Sequence, residues 1–138
     1  MSSEKNKNVI ITRAARLKMV RARAGDITLP KIVGMAFGDG GVDASGEIIP
    51  PTDQMTALRN EFFRKVIDLH ELVATEEATM HYECTITEED ITVNSLDGKE
   101  VSEIGFYDED GDILCIKSTR RKGIDDDVSQ TYELDDIF

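Results

Sequence analysis

The segment at residues 101–116, which reads VSEIGFYDEDGDILCI, constrains the fold of this chain more than any other stretch. Apolar residues at both ends flank an acidic centre, and this pattern predicts a strand, a turn and a returning strand. Asp110-Gly111 supplies the residues that a tight turn needs, because glycine adopts positive φ without steric cost. Gly105, inside the first strand, predicts a bulge or a close approach of a neighbouring backbone. The segment therefore predicts a β-hairpin.

Strict alternation makes residues 80–87 the clearest single strand in the sequence. Met80, Tyr82, Cys84 and Ile86 alternate with polar residues, so one face of this strand is apolar and the other is polar. His81 lies on the polar face, where we expect an exposed surface histidine.

Shorter patterns predict the remaining strands. Residues 32–37 are typical of a short buried strand, and residues 91–96 of another that Asp97-Gly98 stops. Residues 64–73 fit either a helix or a strand, and their β-branched residues favour the strand. A last strand is predicted at residues 128–138, with these anchors: Tyr132, Leu134 and Phe138.

Two helices are predicted in the first half of the chain. The first spans residues 13–24, with Thr12 able to cap its start and Gly25 to stop it. The second spans residues 54–62, after a cap at Thr52 or Asp53. Basic clusters such as residues 120–122 and acidic ones such as 125–127 are expected in solvated loops.

The first helix carries an unusual distribution of side chains. Its apolar stripe is formed by Ala14, Leu17, Val20 and Ala24, and its flanks carry Arg13, Arg16, Arg21 and Arg23. A narrow apolar stripe with long basic flanks is typical of a helix packed on one side only. Two interpretations stay open: a helix that covers a sheet with its arginines facing water or the acidic body, and a helix that docks onto a partner.

The chain of 138 residues has the size of one domain with a core of its own. We expect a disordered tail at residues 1–9 and a single domain at residues 10–138. Because residues 1–8 are polar and no apolar signal segment follows, we expect assembly in a cytoplasm. No apolar run has the length needed to cross a bilayer, so membrane insertion is not expected.

Charge is divided unevenly along the chain, whose formal net charge is −12. Residues 1–25 carry seven Lys or Arg and one acidic residue, a net charge of +6, whereas the remainder carries −18. The acidic bulk argues against nucleic-acid binding, since phosphate repels it. The basic start could instead bind an acidic partner, including another copy of the chain.

No motif for catalysis, cofactor binding or metal binding is complete. Gly38-Asp39-Gly40-Gly41 lacks the Lys-Ser/Thr of a phosphate-binding loop and favours a tight turn. The acidic segment at residues 108–112 lacks the spacing of a calcium loop, because its glycine is the fourth residue rather than the sixth. Cys84 and Cys115 are expected to be buried, reduced thiols, although a disulfide is possible if their strands are neighbours in register. We therefore expect no enzymatic activity and no cofactor.

Four pieces of the sequence, taken in order, resemble the phage tail-collar fibre family, whose N-terminal domains attach fibres to the tail. They are the opening helix from Ile11-Thr12 to Gly25, GDGG at residues 38–41, TAL and NEFFR at residues 56–58 and 60–64, and EIGFYD with its turn at residues 103–111. The resemblance covers residues 10–117. It implies an α+β fold, with two helices in the N-terminal half packed on a mainly antiparallel sheet.

The resemblance also implies a function. It indicates a structural protein of a phage or phage-derived tail, which attaches a tail fibre or forms its base at the baseplate. Its partners would be other tail proteins and further copies of itself, with a trimer expected because the fibres are trimeric. The protein would pass from the host cytoplasm into the particle. The candidate docking or oligomer interface is formed by Arg13, Arg16, Arg21, Arg23, Asn60, Glu61 and Arg64.

A second hypothesis does not depend on the resemblance. The net charge of −18 beyond residue 25 is typical of small acidic modules that occupy the nucleic-acid site of a basic protein. Such an inhibitor would be a monomer or dimer that competes with DNA for its partner.

Overall fold

The computed structural model describes residues 8–74 and 77–137. These residues form an α+β fold with two short helices and eight strands in two antiparallel sheets, which confirms the predicted fold class and number of helices. The elements are β1 (Val9–Ile11), α1 (Arg13–Arg23), β2 (Ile32–Gly38), β3 (Glu61–Val66), β4 (Leu69–Ala74), β5 (Thr79–Ile86), α2 (Glu88–Val93), β6 (Glu100–Asp108), β7 (Ile113–Gly123) and β8 (Gln130–Ile137).

The larger sheet has five strands in the order β1-β7-β6-β2-β3. The predicted hairpin is confirmed as β6 and β7, and Gly111 in its turn has φ +85°. Gly105 also behaves as predicted, since a Cβ there would lie 2.9 Å from the carbonyl oxygen of Cys115. The hairpin strands therefore approach one another closely at a position that only glycine fits.

The smaller sheet has three strands in the order β4-β5-β8. β5 alternates as predicted, with Cys84 and Ile86 buried on its apolar face. β8 confirms the predicted last strand and buries Tyr132 and Leu134, whereas Phe138 lies outside the described residues. This sheet packs its apolar face against the larger one.

The main core lies between the two sheets. Phe37 packs against Tyr132 with ring centroids 4.9 Å apart, and Tyr82 packs against Phe106 at 4.7 Å. Cys84 and Cys115 are buried free thiols in this region, as predicted. A smaller cluster on the opposite face of the five-stranded sheet contains Ala36, Leu58, Ile113 and Ile116.

The predicted helix at residues 54–62 is wrong. The chain runs in turns up to Asn60 and then enters β3, where Phe63 pairs with Phe37 of β2. Leu58 and Phe62, which would share a helical face, instead contact the clusters on the two sides of the sheet. Long-range strand pairing therefore overrides the local helical spacing.

The second helix is α2, in the region where a strand at residues 91–96 was predicted. Thr87 and Asp90 form a capping box, in which each side chain accepts the backbone N–H of the other. Acidic residues in the first turn also favour the helix N-terminus. Ile91, the first residue of the predicted strand, is buried against the core from within this helix.

Other boundaries differ less from prediction. α1 begins after its predicted cap, Thr12, and ends one residue early, with Gly25 at φ +84°. Residues 64–73 are strands, as favoured, and divide between β3 and β4.

The basic residues 120–122 are not a loop, because they belong to β7 and pair with β6. Residues 1–7 of the predicted tail lie outside the described residues, but Val9 already pairs with Lys117 in the sheet. None of the described helices is long and apolar enough to cross a membrane.

Candidate docking site

The carboxylate of Glu103 joins two loops to the five-stranded sheet. Its side chain is fully buried, with 0% exposure. Oε2 accepts the backbone N–H groups of Gly40 at 2.9 Å and Asn60 at 2.7 Å, and Oε1 accepts that of Arg59 at 2.8 Å. Backbone amides therefore compensate this buried charge, and both oxygens are occupied.

Glycines make this close arrangement possible. A Cβ at Gly38 would lie 2.5 Å from Glu103 Oε2, and one at Gly41 would lie 1.8 Å from the carbonyl oxygen of Ser102. Ser102 also accepts the N–H of Gly41 through its hydroxyl oxygen at 2.9 Å. The glycine-rich turn is therefore held against β6 by contacts that no larger residue would permit.

Three of the four family-like pieces meet at this carboxylate. The GDGG turn and the NEFFR segment both donate to Glu103, which itself belongs to the EIGFYD strand. The side-chain amide of Asn60 adds a hydrogen bond to Asp39. Glu103 was not among the predicted site residues; the available signal was an acidic side chain in the interior of a predicted strand. The arrangement is architectural, because the carboxylate is fully buried and accepts three backbone N–H groups.

The opening helix is attached separately. The Thr12 hydroxyl donates to the carbonyl oxygen of Ile113 at 2.9 Å, and the N–H of Arg13 donates to that of Asp53 at 2.8 Å. The guanidinium of Arg16 pairs with the carboxylate of Asp53. Hydrogen bonds from Arg16 and Gln54 hold the pKa of Asp53 below its ordinary value.

α1 is rotated relative to the predicted stripe. Ala15 is its buried residue, whereas Leu17 and Val20 are 55% and 56% exposed. Lys18 lies on the inward side of α1, where its ammonium group reaches the buried carboxylate of Asp108 at 2.6 Å. The predicted apolar stripe therefore faces outward, next to exposed arginines.

The predicted arginines of α1 form an open basic surface. Arg13, Arg21 and Arg23 are exposed. Within residues 8–74 and 77–137, none of these three guanidinium groups has a carboxylate within ion-pairing distance. We call Leu17 and Val20, together with these three arginines, the α1 surface.

The predicted residues of β3 are instead engaged within the molecule. Arg64 pairs with Glu61 at 2.6 Å, donates to the carbonyl oxygen of Gly111 at 3.0 Å and lies 4.8 Å from the ring centre of Tyr107. Asn60 is bound at the Glu103 carboxylate. The structure thus separates Asn60, Glu61 and Arg64 from the arginines of α1.

The acidic turn between β6 and β7 lies between these two sets. Lys18 contacts the carboxylates of Asp108, Asp112 and Asp110 at 2.6, 2.7 and 3.1 Å. Burial lowers the pKa of Lys18, but its hydrogen bonds to the three aspartates outweigh this and raise the pKa above its ordinary value. An ammonium group thus contacts the same carboxylates that suggested a calcium loop. Sequence reasoning missed Lys18, because only the folded helix brings it to this turn.

His81 is less exposed than predicted. Its side chain retains 19% exposure, with Nδ1 at 2.6 Å from Asp135 and Nε2 at 2.8 Å from Glu83. These hydrogen bonds, to Asp135 and then Glu83, raise the pKa of His81. The imidazole ring therefore joins the polar faces of β5 and β8.

Comparisons of the chain with family models, with curated protein sequences and with solved structures found no match. The family resemblance stays a prediction that rests on its four pieces of sequence. The geometry adds a separate observation, that three of those pieces converge on one buried carboxylate. It also adds an open surface of arginines and apolar residues on α1.

Proposed function

We propose that this chain is a non-enzymatic structural protein of a phage or phage-derived tail, which attaches a tail fibre or forms its base at the baseplate. The observation that carries the proposal is the convergence of the GDGG, NEFFR and EIGFYD segments on Glu103. These are the segments in which the resemblance lies, and here they brace a sheet. Their residues therefore have a structural role, which fits a structural protein of a particle.

The α1 surface is the proposed docking site. It presents two exposed apolar side chains, Leu17 and Val20, beside arginines without described ion-pair partners. Apolar side chains within a charged rim are typical of protein interfaces. The positive charge of these arginines favours an acidic partner. The part of the chain beyond residue 25 has a net charge of −18, so another copy of this chain could be that partner. A homo-oligomer is therefore proposed, with a trimer as its expected form and other tail proteins as further partners.

A second candidate function is a small acidic inhibitor of a basic, nucleic-acid-binding protein. It is favoured by an exposed acidic group, in which carboxylate oxygens of Asp97, Asp125 and Asp126 lie within 4.8 Å of one another. Crowded negative charge of this kind can imitate phosphates. This candidate predicts that the purified chain displaces DNA from a basic partner, whereas the tail protein would not.

The deciding experiment is quantitative mass spectrometry of tail particles purified from the source organism. A fixed ratio of this chain to baseplate proteins is expected. Its absence from clean particles, with abundant chain in the lysate, would contradict the structural role and favour the inhibitor.

Matched variants connect the α1 surface to assembly. Arg21→Glu is expected to reduce incorporation into particles, because it reverses one charge on the docking helix without breaking a described ion pair. Arg120→Glu makes the same charge change at an exposed position of β7 and serves as the control. Equal incorporation of both variants would exclude α1 as the docking site.

A further inference from the structure

A cleft of about 510 Å³ opens between α1, the segment before β2 and one end of the three-stranded sheet. Its size lies within the range of roughly 300–1,000 Å³ that is common for small-molecule sites. The walls are mainly apolar, with these principal residues: Ile11, Met19, Leu29, Met80, Tyr82 and Phe106. A small organic molecule could therefore bury a hydrocarbon body here.

The charged groups in the cleft are not equivalent. Asp108 and Lys18 compensate each other at 2.6 Å. Lys31 is exposed at the rim, where its ammonium group can stay hydrated. The side chain of Asp136 is half-buried in the cleft wall and receives no hydrogen bond or ion pair from residues 8–74 or 77–137. Asp136 is thus the charged group of the cleft with which a ligand could form an ion pair.

Aromatic rings form the wall beside this carboxylate. Tyr82 packs edge-on against Phe106 at 4.7 Å, and His70 lies 6.1 Å from Tyr82. Asp136 of β8 pairs with Met80 of β5, and Tyr82 lies two residues after Met80 in β5. These three side chains therefore share one face of the small sheet. The faces of aromatic rings attract cations, and a carboxylate beside them strengthens the attraction.

We propose that this cleft binds a small organic amine, whose ammonium group pairs with Asp136 and whose hydrocarbon body lies between Met19, Met80 and the aromatic wall. The cleft lies apart from the Glu103 carboxylate and does not depend on the tail function. Burial raises the pKa of Asp136, which agrees with a carboxylate that has no partner among residues 8–74 and 77–137.

The test uses hexylamine, 1-hexanol and hexanoate, which share a chain length but differ in charge. The full chain carries five methionines, and methyl-labelled methionine reports on the cleft through Met19 and Met80. Met35 is fully buried in the main core and serves as an internal control. Hexylamine is expected to shift Met19 and Met80 but not Met35, with a Kd on the order of 1 mM for so small a ligand.

Charge variants then test the role of Asp136. Asp136→Asn is expected to weaken hexylamine binding about tenfold while leaving 1-hexanol binding unchanged, because it removes only the charged contact. Asp127→Asn removes the same charge from an exposed loop before β8 and is expected to leave hexylamine binding unchanged.

Three results would overturn the proposal. The first is a wild-type protein in which hexylamine leaves Met19 and Met80 unshifted. The second is binding of hexanoate as tight as that of hexylamine, which would indicate that Lys31 dominates the cleft. The third concerns the Asp136→Asn variant, whose unchanged Met35 signal would show that it is folded. If this variant still binds hexylamine more tightly than 1-hexanol, Asp136 does not bind the ammonium group.

Discussion

Glu103 Oε2 lies 2.7 Å from the backbone nitrogen of Asn60, 43 positions away in the sequence. The same oxygen accepts the N–H of Gly40, so one carboxylate fixes the positions of two loops. A buried carboxylate that accepts several backbone N–H groups organises a fold, because each amide would otherwise need another acceptor.

Replacement of Glu103 is expected to be costly. Glu103→Gln removes the charge and turns an amide group toward backbone donors, so we expect a loss of about 3 kcal/mol in the free energy of unfolding. Urea denaturation would show this as a lower midpoint at an unchanged slope. Glu100→Gln, at the exposed start of the same strand, is the control and should leave the midpoint unchanged. Equal midpoints for the two variants would mean that the carboxylate of Glu103 does not brace the loops.

Gly41 is expected to tolerate no side chain. The Cβ of Gly41→Ala would meet the backbone of Ser102 at 1.8 Å, and moving that backbone would disturb β6. We expect destabilisation of about 3 kcal/mol or more, measured by thermal melting and soluble yield. Gly123→Ala places a methyl group where no atom lies within 4 Å, and it should melt like the wild type. A stable Gly41→Ala protein would show that the turn does not pack against Ser102 as described.

Lys18 is expected to stabilise the β6–β7 turn through the buried carboxylate of Asp108. Lys18→Met leaves that carboxylate without its ammonium partner, so we expect a loss of about 3 kcal/mol in urea denaturation. Adding Asp108→Asn should recover part of the loss, because the unpaired charge is then absent. Arg21→Met, on the exposed side of α1, is the control for loss of a basic helical residue. Strict additivity of the Lys18 and Asp108 changes would contradict the ion pair.

The stability of the fold is expected to depend on pH through His81. Its pKa is raised above the ordinary 6.5 by hydrogen bonds to Asp135 and Glu83, so the folded state holds its proton more tightly than the unfolded state. The resulting stabilisation is complete below pH 6.5 and is lost as pH rises through the raised pKa of the folded state. Glu133 also faces the ring, at 3.6 Å.

Urea midpoints measured from weakly acidic to weakly alkaline pH would test this dependence. The wild type is expected to lose stability as pH rises, and His81→Gln should remove that slope. His70→Gln, on the exposed strand β4, should keep it. A slope that survives in His81→Gln would assign the pH dependence to another group.

Local patterns predicted several elements correctly because neighbours in the chain determine them. The alternation in β5 depends only on the two faces of an extended strand. The turn at Gly111 depends on the positive φ that glycine allows, and the start of α1 on the hydroxyl of Thr12, which accepts the N–H of Ala15. The capping box at Thr87 and Asp90 is also a local pattern, although a strand was predicted at residues 91–96.

Local patterns were not sufficient to predict the candidate site. Residues 54–62 have spacing that suits a helix, but the chain runs in turns up to Asn60 and pairs with β2 from Glu61 onward. Leu17 and Val20 suit a buried stripe, but the face of α1 that packs inward carries Ala15 and Lys18, which pairs with the distant Asp108. In both cases a contact distant in sequence outweighed a local preference.

The sequence by itself determined the mixture of helix and strand, the hairpin, the burial of both cysteines and the uneven charge, since each depends on residue type or on near neighbours. Only the tertiary structure decided that Glu103 receives the amides of two loops and that Asp136 remains without a described partner in an apolar cleft. The physical reason is that burial and hydrogen-bond partners belong to groups brought together from distant parts of the chain.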